Sequence, residues 1–432
     1  MRKSHFFKID NPNQFRKQLL RWAQQFDELV FLDSNHHKHK YNAFDIALAV
    51  GSKSHIKTNS STAFQMLSDY KSKTKDWIFG YLSYDLKNEL EQLSSDNYDG
   101  LDFYSLHFFQ PKKLLFLKGN RVEFQYLEKY THEIKTDLED IHKINLNRGM
   151  KKHFETPKIK LRIHKDAYLS KIKSVLEKIQ LGDIYEVNIC QEFFALNTEI
   201  DPLTTFEKLN TISESPFAVY LKLDENFALS ASPERYLKRI EKKIISQPIK
   251  GTAARSQNFD EDQFLKTVLE KDPKELSENI MITDLVRNDL SKNALKGSVK
   301  VEELCKVYSY KQVHQMISTI SAAVEDNVDS VQLLKNTFPM GSMTGAPKIA
   351  AMQIIEALEE TKRGLYSGAV GYFDPDDNFD FNVMIRSILY NSKKKYVSFS
   401  VGSAITAKSI PQKEYEECLL KAKAMRKALE QK

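Results

Sequence analysis

Apolar and polar positions divide this chain into two unequal parts. From residue 1 to about 145, short apolar runs (Leu29 to Leu32, Trp77 to Leu82 and Leu114 to Leu117) alternate with polar connections and predict strands. Residues 146–157, mostly polar and ending in Pro157, read as a linker. Beyond it the pattern sharpens over 158–432. Tyr168, Ile172, Val175, Leu176 and Ile179 recur at helical spacing, and Gly182 stops that helix. Val187, Ile189, Phe217, Val219, Leu221, Phe227 and Leu229 fall at the strand period. Helices are predicted over 260–292, 347–360 and 411–430, and strands near 299–324, 367–373, 380–390 and 396–403. Helices grouped between paired strands, without a strict strand–helix–strand rhythm, point to an α+β fold rather than a doubly wound sheet.

Composition narrows the function. With 432 residues, 41% hydrophobic and 11% aromatic, the chain can bury a large core. Its net charge of +6 is spread along the whole length, too dilute for a nucleic-acid surface. Cys190, Cys305 and Cys418 lie far apart, in neither metal-ligand spacing nor an even-numbered disulfide framework. Met1 to Lys8 holds no apolar run of signal length and no stretch approaches a membrane span, so a soluble, reducing, cytoplasmic setting is expected.

Three features carry chemistry. The first is Gln247-Pro248-Ile249-Lys250-Gly251-Thr252, a lysine in a stiff, apolar turn between a proline that fixes its own backbone angle and a permissive glycine. Desolvation there favours the neutral amine and makes Lys250 a candidate nucleophile; the plainer reading is a surface lysine at a strand end. The second is two acidic pairs, Glu275 with Glu278 and Glu414 with Glu417, each three residues apart on one helix face. Four converging carboxylates without histidine or cysteine suit Mg2+, whereas two solvated helix faces would need no ion. The third is Phe338 to Lys348, with two glycines and small hydroxyls leading into a helix. Thr344 is placed to cap it, Pro347 fits its first turn, and free N–H groups there attract anions.

In order along the chain stand Gly182-Asp183-Ile184-Tyr185-Glu186-Val187-Asn188, Ser232-Pro233-Glu234-Arg235, the Pro248–Thr252 turn, Glu275 to Asp289, and Gly341 to Lys348. Tyr366 to Gly371, Ile385-Arg386-Ser387 and Glu414 to Glu417 complete the series. Together, over about 160–430, these motifs resemble the chorismate-utilising enzymes, in particular their aminodeoxychorismate synthase component I branch (the para-aminobenzoate synthase large subunit). The resemblance implies a layered α/β/β/α architecture, with two orthogonally packed, mainly antiparallel sheets flanked by helices and the N-terminal third woven into them. It implies amination of chorismate at ring carbon 4 to 4-amino-4-deoxychorismate, on the route to para-aminobenzoate and folate. Lys250 would add to carbon 2 as the 4-hydroxyl leaves, and ammonia would then enter at carbon 4 and expel the lysine. Glu234 resembles the family's general acid, a task that needs a raised pKa near pH 7. Glu278 and Glu417 match the magnesium-binding positions, with Glu275 and Glu414 supporting through water. Arg386 and Tyr366 resemble contacts to the substrate's other carboxylate, and Thr252, Ser342, Gly402 and Lys421 match further pocket positions.

Residue choices inside the family sharpen this. Anthranilate synthases usually carry alanine where Lys250 stands, so that ammonia attacks carbon 2. Isochorismate and salicylate synthases need a lysine base where this chain has Glu186, and the aminating branch usually has glutamine there. Two further departures are Gln315, where the family commonly has histidine and this chain places His314 one residue earlier, and Ala404, in place of a customary glycine. Either Gln315 supplies the hydrogen bond to the substrate hydroxyl or the site works without it, and His314 reads as structural. No segment resembles a glutaminase domain, so a separate glutamine amidotransferase partner is implied as ammonia source. An anthranilate synthase component I and a catalytically silent chorismate-binding subunit are the alternatives. Phe31 to Asn35 only loosely resembles the segment with which some relatives bind tryptophan.

Overall fold

The computed structural model describes residues 1–37, 40–91, 93–146 and 154–430. Part of the expected linker, 147–153, lies outside these described residues. Among them, 20 strands link into one hydrogen-bonded network in which strand pairs run antiparallel, so the expected sheets are continuous with one another. The α+β class follows from this: antiparallel strands that neighbour each other need only short connections, and helices are left to cover the faces. Leu29–Asp33 pairs with Phe217–Leu223, and Ile78–Leu82 pairs with Ala369–Phe373, so main-chain hydrogen bonds join the N-terminal third to the later strands.

Two apolar cores fill the space between layers. One gathers Phe79, Phe108, Ile282, Met343 and Phe381; the other gathers Leu19, Tyr168, Phe193, Phe399 and Met425. Phe193 and Phe399 face each other across Glu186–Ala195 and Tyr396–Thr406 with ring centroids 5.1 Å apart. Such a cross-strand aromatic pair adds about 1 kcal/mol beyond its burial. Helix Pro411–Glu430 lies on Tyr396–Thr406, and helix Pro273–Ser291 lies on Ile249–Ala254 and Val313–Ala323. These two helices bring the acidic pairs to the sheet. Among the described residues no helix is long and apolar enough to cross a membrane.

Several elements differ from their sequence expectation. The helix expected over 260–292 is two, Phe259–Lys271 and Pro273–Ser291, because Pro273 drives Asp272 out of the helical region (ψ 116°). Asp272 then caps the second helix by accepting from the N–H groups of Lys274 and Glu275 at 2.8 and 3.0 Å. The strand expected over 380–390 breaks into Phe379–Asn382 and Ser387–Asn391, with Arg386 at φ +53° between them. Helices Pro12–Ala23, Ala63–Thr74 and Ile134–Lys143 stand where only strands and polar connections were expected. Thr344 does not cap the helix Lys348–Leu358: Pro347 occupies the cap position, and the Thr344 hydroxyl donates to the carbonyls of Met340 and Gly341 instead.

Candidate active site

Lys250 sits where its strand loses register. Ile249–Ala254 pairs with Val313–Ala323, but the pairing shifts between Ile249 and Thr252, so Lys250 and Gly251 form an irregularity of the kind that re-aims a side chain. Gly251 has φ +93°, and a Cβ there would approach Met316 Cβ to 3.1 Å and Glu275 Oε2 to 3.2 Å; only glycine fits both the angle and the space. Asn279 Nδ2 donates to the Lys250 carbonyl and to the Met316 carbonyl, both at 3.1 Å, clamping the turn to the neighbouring strand. The side chain of Lys250 is only 10% exposed, and its Nζ lies 2.7 Å from Glu186 Oε1. Burial was expected to leave this amine neutral, and that expectation is corrected. Burial does push the pKa down, but Glu186 first, then Glu278 and Glu234, outweigh it and hold the pKa above the ordinary lysine value. The resting side chain is an ammonium in an ion pair.

Glu234 lies between Asn226–Ser232 and Arg235–Ile240, 3% exposed. Its Oε1 accepts a 2.7 Å hydrogen bond from the Ser342 hydroxyl in the turn Gly341–Met343. Burial raises its pKa to about 7 against the opposing pull of Ser342 and Lys250. A carboxyl poised near neutrality beside a buried lysine can both give and take a proton.

The four remaining acids gather around Lys274, a residue the sequence motif contained but did not single out. Its Nζ stands 3.7 Å from Glu278 Oε1 and 3.5 Å from Glu414 Oε1, and Glu275 and Glu417 also act on its charge. Burial raises Glu278 to about 7, and its Oε1 accepts no hydrogen bond. Burial likewise raises Glu275. Glu414, 2% exposed, accepts a short hydrogen bond from the Ser403 hydroxyl. Glu417 is held below the ordinary carboxylate range, because Lys421 at 2.6 Å overcomes its burial. Among the described residues no three metal-ligating side chains close on a common point.

The other expected pocket residues are brought together in part. Lys421 Nζ donates to the Gly402 carbonyl at 2.9 Å as well as pairing with Glu417. A Cβ at Gly402 would lie 2.2 Å from Asn188 Oδ1, so the strand can approach its neighbour only with glycine there. Arg386 makes one long hydrogen bond, 3.5 Å to the Lys421 carbonyl, and no ion pair with an acid among the described residues. Burial lowers its pKa while Tyr366 and Glu417 raise it, and a guanidinium stays charged throughout. Tyr366 is buried, its hydroxyl 3.9 Å from Cys190 Sγ. Thr252 is exposed, opposite Gln315, whose buried Oε1 accepts no hydrogen bond. His314 faces the other way, fully buried between Ser309 Oγ (2.8 Å) and Asp262 Oδ1 (3.1 Å). Ala404 stands opposite Asn188 in the pairing of Tyr396–Thr406 with Glu186–Ala195. Asn279 and Lys274 are the residues that motif reading missed. Both stand in the same helix as Glu275 and Glu278, and that adjacency was their one signal.

Known proteins resemble this chain in sequence and in fold. A probable aminodeoxychorismate synthase from Oryza sativa subsp. japonica is 40% identical over 270 residues, covering 62% of this chain and 30% of the rice protein. An anthranilate synthase component I-like protein from Synechocystis is 34% identical over 361 residues, covering 82% of this chain and 72% of that protein. The crystal structure of anthranilate synthase component I from Streptococcus pneumoniae superposes with a TM-score of 0.79 at 23% identity, covering 90% of this chain and 95% of that one, and shares the fold. The chain thus spans under a third of the rice relative's length and most of the other two. Residues 17–427 match the family described as chorismate binding enzyme, and the chain belongs to that family.

Proposed function

We propose that this chain aminates chorismate at ring carbon 4, giving 4-amino-4-deoxychorismate. The observation that carries the reading is a mostly buried lysine, Lys250, paired with Glu186 and acting on the charge of a second buried acid, Glu234, poised near pH 7. Lys250 Nζ bonds to carbon 2 and the ring double bonds shift. The carbon 4–oxygen bond breaks, and Glu234 protonates the departing hydroxyl. Ammonia then bonds to carbon 4, the double bonds return, and Lys250 leaves. Arg386, which forms no ion pair among the described residues, would hold a substrate carboxylate by its two-pronged face. Relatives named aminodeoxychorismate synthase support the reading, and a glutamine amidotransferase subunit in the cytoplasm would supply the ammonia.

The acidic residues fit a magnesium ion. All donors are carboxylate oxygens, Glu278 keeps an oxygen without a hydrogen bond, and magnesium commonly takes only one or two carboxylates together with its substrate. Glu278 and Glu417 would hold it, with Glu275 and Glu414 acting through water. Bound there, it would neutralise and fix the ring carboxylate. Without it, Glu278 is a buried acid whose pKa stands near 7 rather than 4.5. A carboxyl raised on folding contributes stability below its unfolded pKa and loses that contribution as pH rises through the folded value. Glu278→Gln should therefore leave the melting temperature nearly unchanged at pH 4 and raise it by about 1–3 °C at pH 8.5 in chelator. Added magnesium should stabilise the parent protein at pH 8.5 and leave the variant unmoved. Equal magnesium shifts in both would remove Glu278 from the ion's site.

Anthranilate formation is the competing reading, favoured by the Synechocystis relative's name. Incubation with chorismate, magnesium and ammonium, followed by identification of the product isomer, separates the two. The 4-amino isomer is expected; anthranilate would overturn the proposal, and absence of any conversion would favour a silent chorismate-binding subunit.

A further inference from the structure

We infer that Glu186 is the proton acceptor that turns the Lys250 ammonium into a nucleophile, an inference that rests on the covalent reading above. Glu186 opens the strand Glu186–Ala195 and is 1% exposed. Its backbone is fixed on both sides, opposite Thr406 on one strand and Ala346 on the other. The second approach is so close that a Cβ on Gly345 would lie 2.1 Å from the Glu186 carbonyl. The carboxylate therefore projects from a rigid base. Its Oε1 stands 2.7 Å from Lys250 Nζ, and among the described residues no other donor reaches either oxygen.

An ammonium has no lone pair and cannot add to a ring carbon, so a proton must leave Nζ first. The other acids acting on Lys250 are engaged elsewhere: Glu234 accepts from Ser342, Glu278 faces Lys274, and Glu417 faces Lys421. Among the acids of the described residues, Glu186 alone forms an ion pair with Lys250. Transfer within the pair converts ammonium and carboxylate into amine and carboxyl with no change in net charge, so burial does not oppose it. The neutral Nζ then forms its bond to carbon 2 while the carbon 4–oxygen bond breaks and Glu234 supplies the proton that makes water. The adduct nitrogen carries the positive charge. When ammonia bonds to carbon 4, the carbon 2–nitrogen pair returns to Nζ, which recovers its proton from Glu186. Glu234 is reprotonated from solvent, and the product leaves as an ammonium.

Steady-state product formation from chorismate and ammonium tests this. Glu186→Gln keeps size and polarity, and should lower kcat at least about tenfold with the chorismate KM little changed. Glu186→Ala should be similarly slow and regain kcat several-fold on addition of formate, which a merely structural role would not allow. A Glu186→Gln variant with undiminished kcat, or a Glu186→Ala variant indifferent to formate, overturns the inference alone. A parent protein that makes no 4-amino product rejects the reading beneath it instead.

Discussion

Lys250→Ala should lose 4-amino-4-deoxychorismate formation by about 10³-fold or more, with any residual amination appearing at carbon 2. On the proposed covalent route, the size of the effect follows from the bond Lys250 forms to carbon 2 rather than from where the side chain sits. Without the amine, nothing occupies carbon 2, and ammonia meets a ring whose other reactive position is open. The alanine variant also removes a cation that pulls down the pKa values of Glu234 and Glu278, so its loss alone would not isolate the nucleophile. Lys250→Arg resolves this. It keeps the positive charge opposite Glu186 and both other acids but supplies a guanidinium that does not deprotonate. Both variants should fail, and chromatographic identification of the products from chorismate and ammonium is the measurement. Unchanged 4-amino product in either variant would rule out the covalent route.

The sequence made the composition of the site visible but not its state of charge. Lys250 between Pro248 and Gly251 announced a buried, constrained lysine, and the structure has one. That the lysine is protonated depends on Glu186, which reaches it only through the pairing of distant strands, and no local pattern encodes that contact. The acidic pairs were legible for the same reason helices are: three-residue spacing places both members on one face. The contact of Lys274 with an acid on the other helix, Glu414, emerges only when the two helices converge. Among the elements, the helix ending at Gly182 was clear from its periodicity, and those expected over 347–360 and 411–430 stand as Lys348–Leu358 and Pro411–Glu430. Two misses had signals in plain view. Asn11 followed by Pro12 is a helix start, with Asn11 Oδ1 accepting from the Gln14 N–H at 3.0 Å. Pro273 after Asp272 is a helix boundary. The break before Ser387, by contrast, places Arg386 at φ +53°, a backbone angle that no residue type there foretells.

Glu234→Gln should lower kcat by about 10²–10⁴-fold, the usual span for removing a general acid. The glutamine can still accept from Ser342 Oγ, so the turn Gly341–Met343 keeps its anchor and the loss reads as chemistry rather than misfolding. The pH dependence makes the assignment specific. Burial raises Glu234 to about 7, and the proton it would deliver on the proposed route is lost as pH rises through that value, so kcat should fall on the alkaline side of neutrality. The Ser342 hydroxyl stabilises the charged form and opposes that rise. Ser342→Ala should therefore move the falling limb to higher pH while the limiting rate at low pH stays within a few-fold of the parent. A limb that stays fixed in Ser342→Ala, or moves to lower pH, would mean that some group other than Glu234 supplies the proton. Because Glu234 and Lys250 act on each other's charge, the same limb should move to higher pH again when the lysine's cation is removed. That shift is readable as the pH dependence of chorismate binding in Lys250→Ala, where turnover is lost.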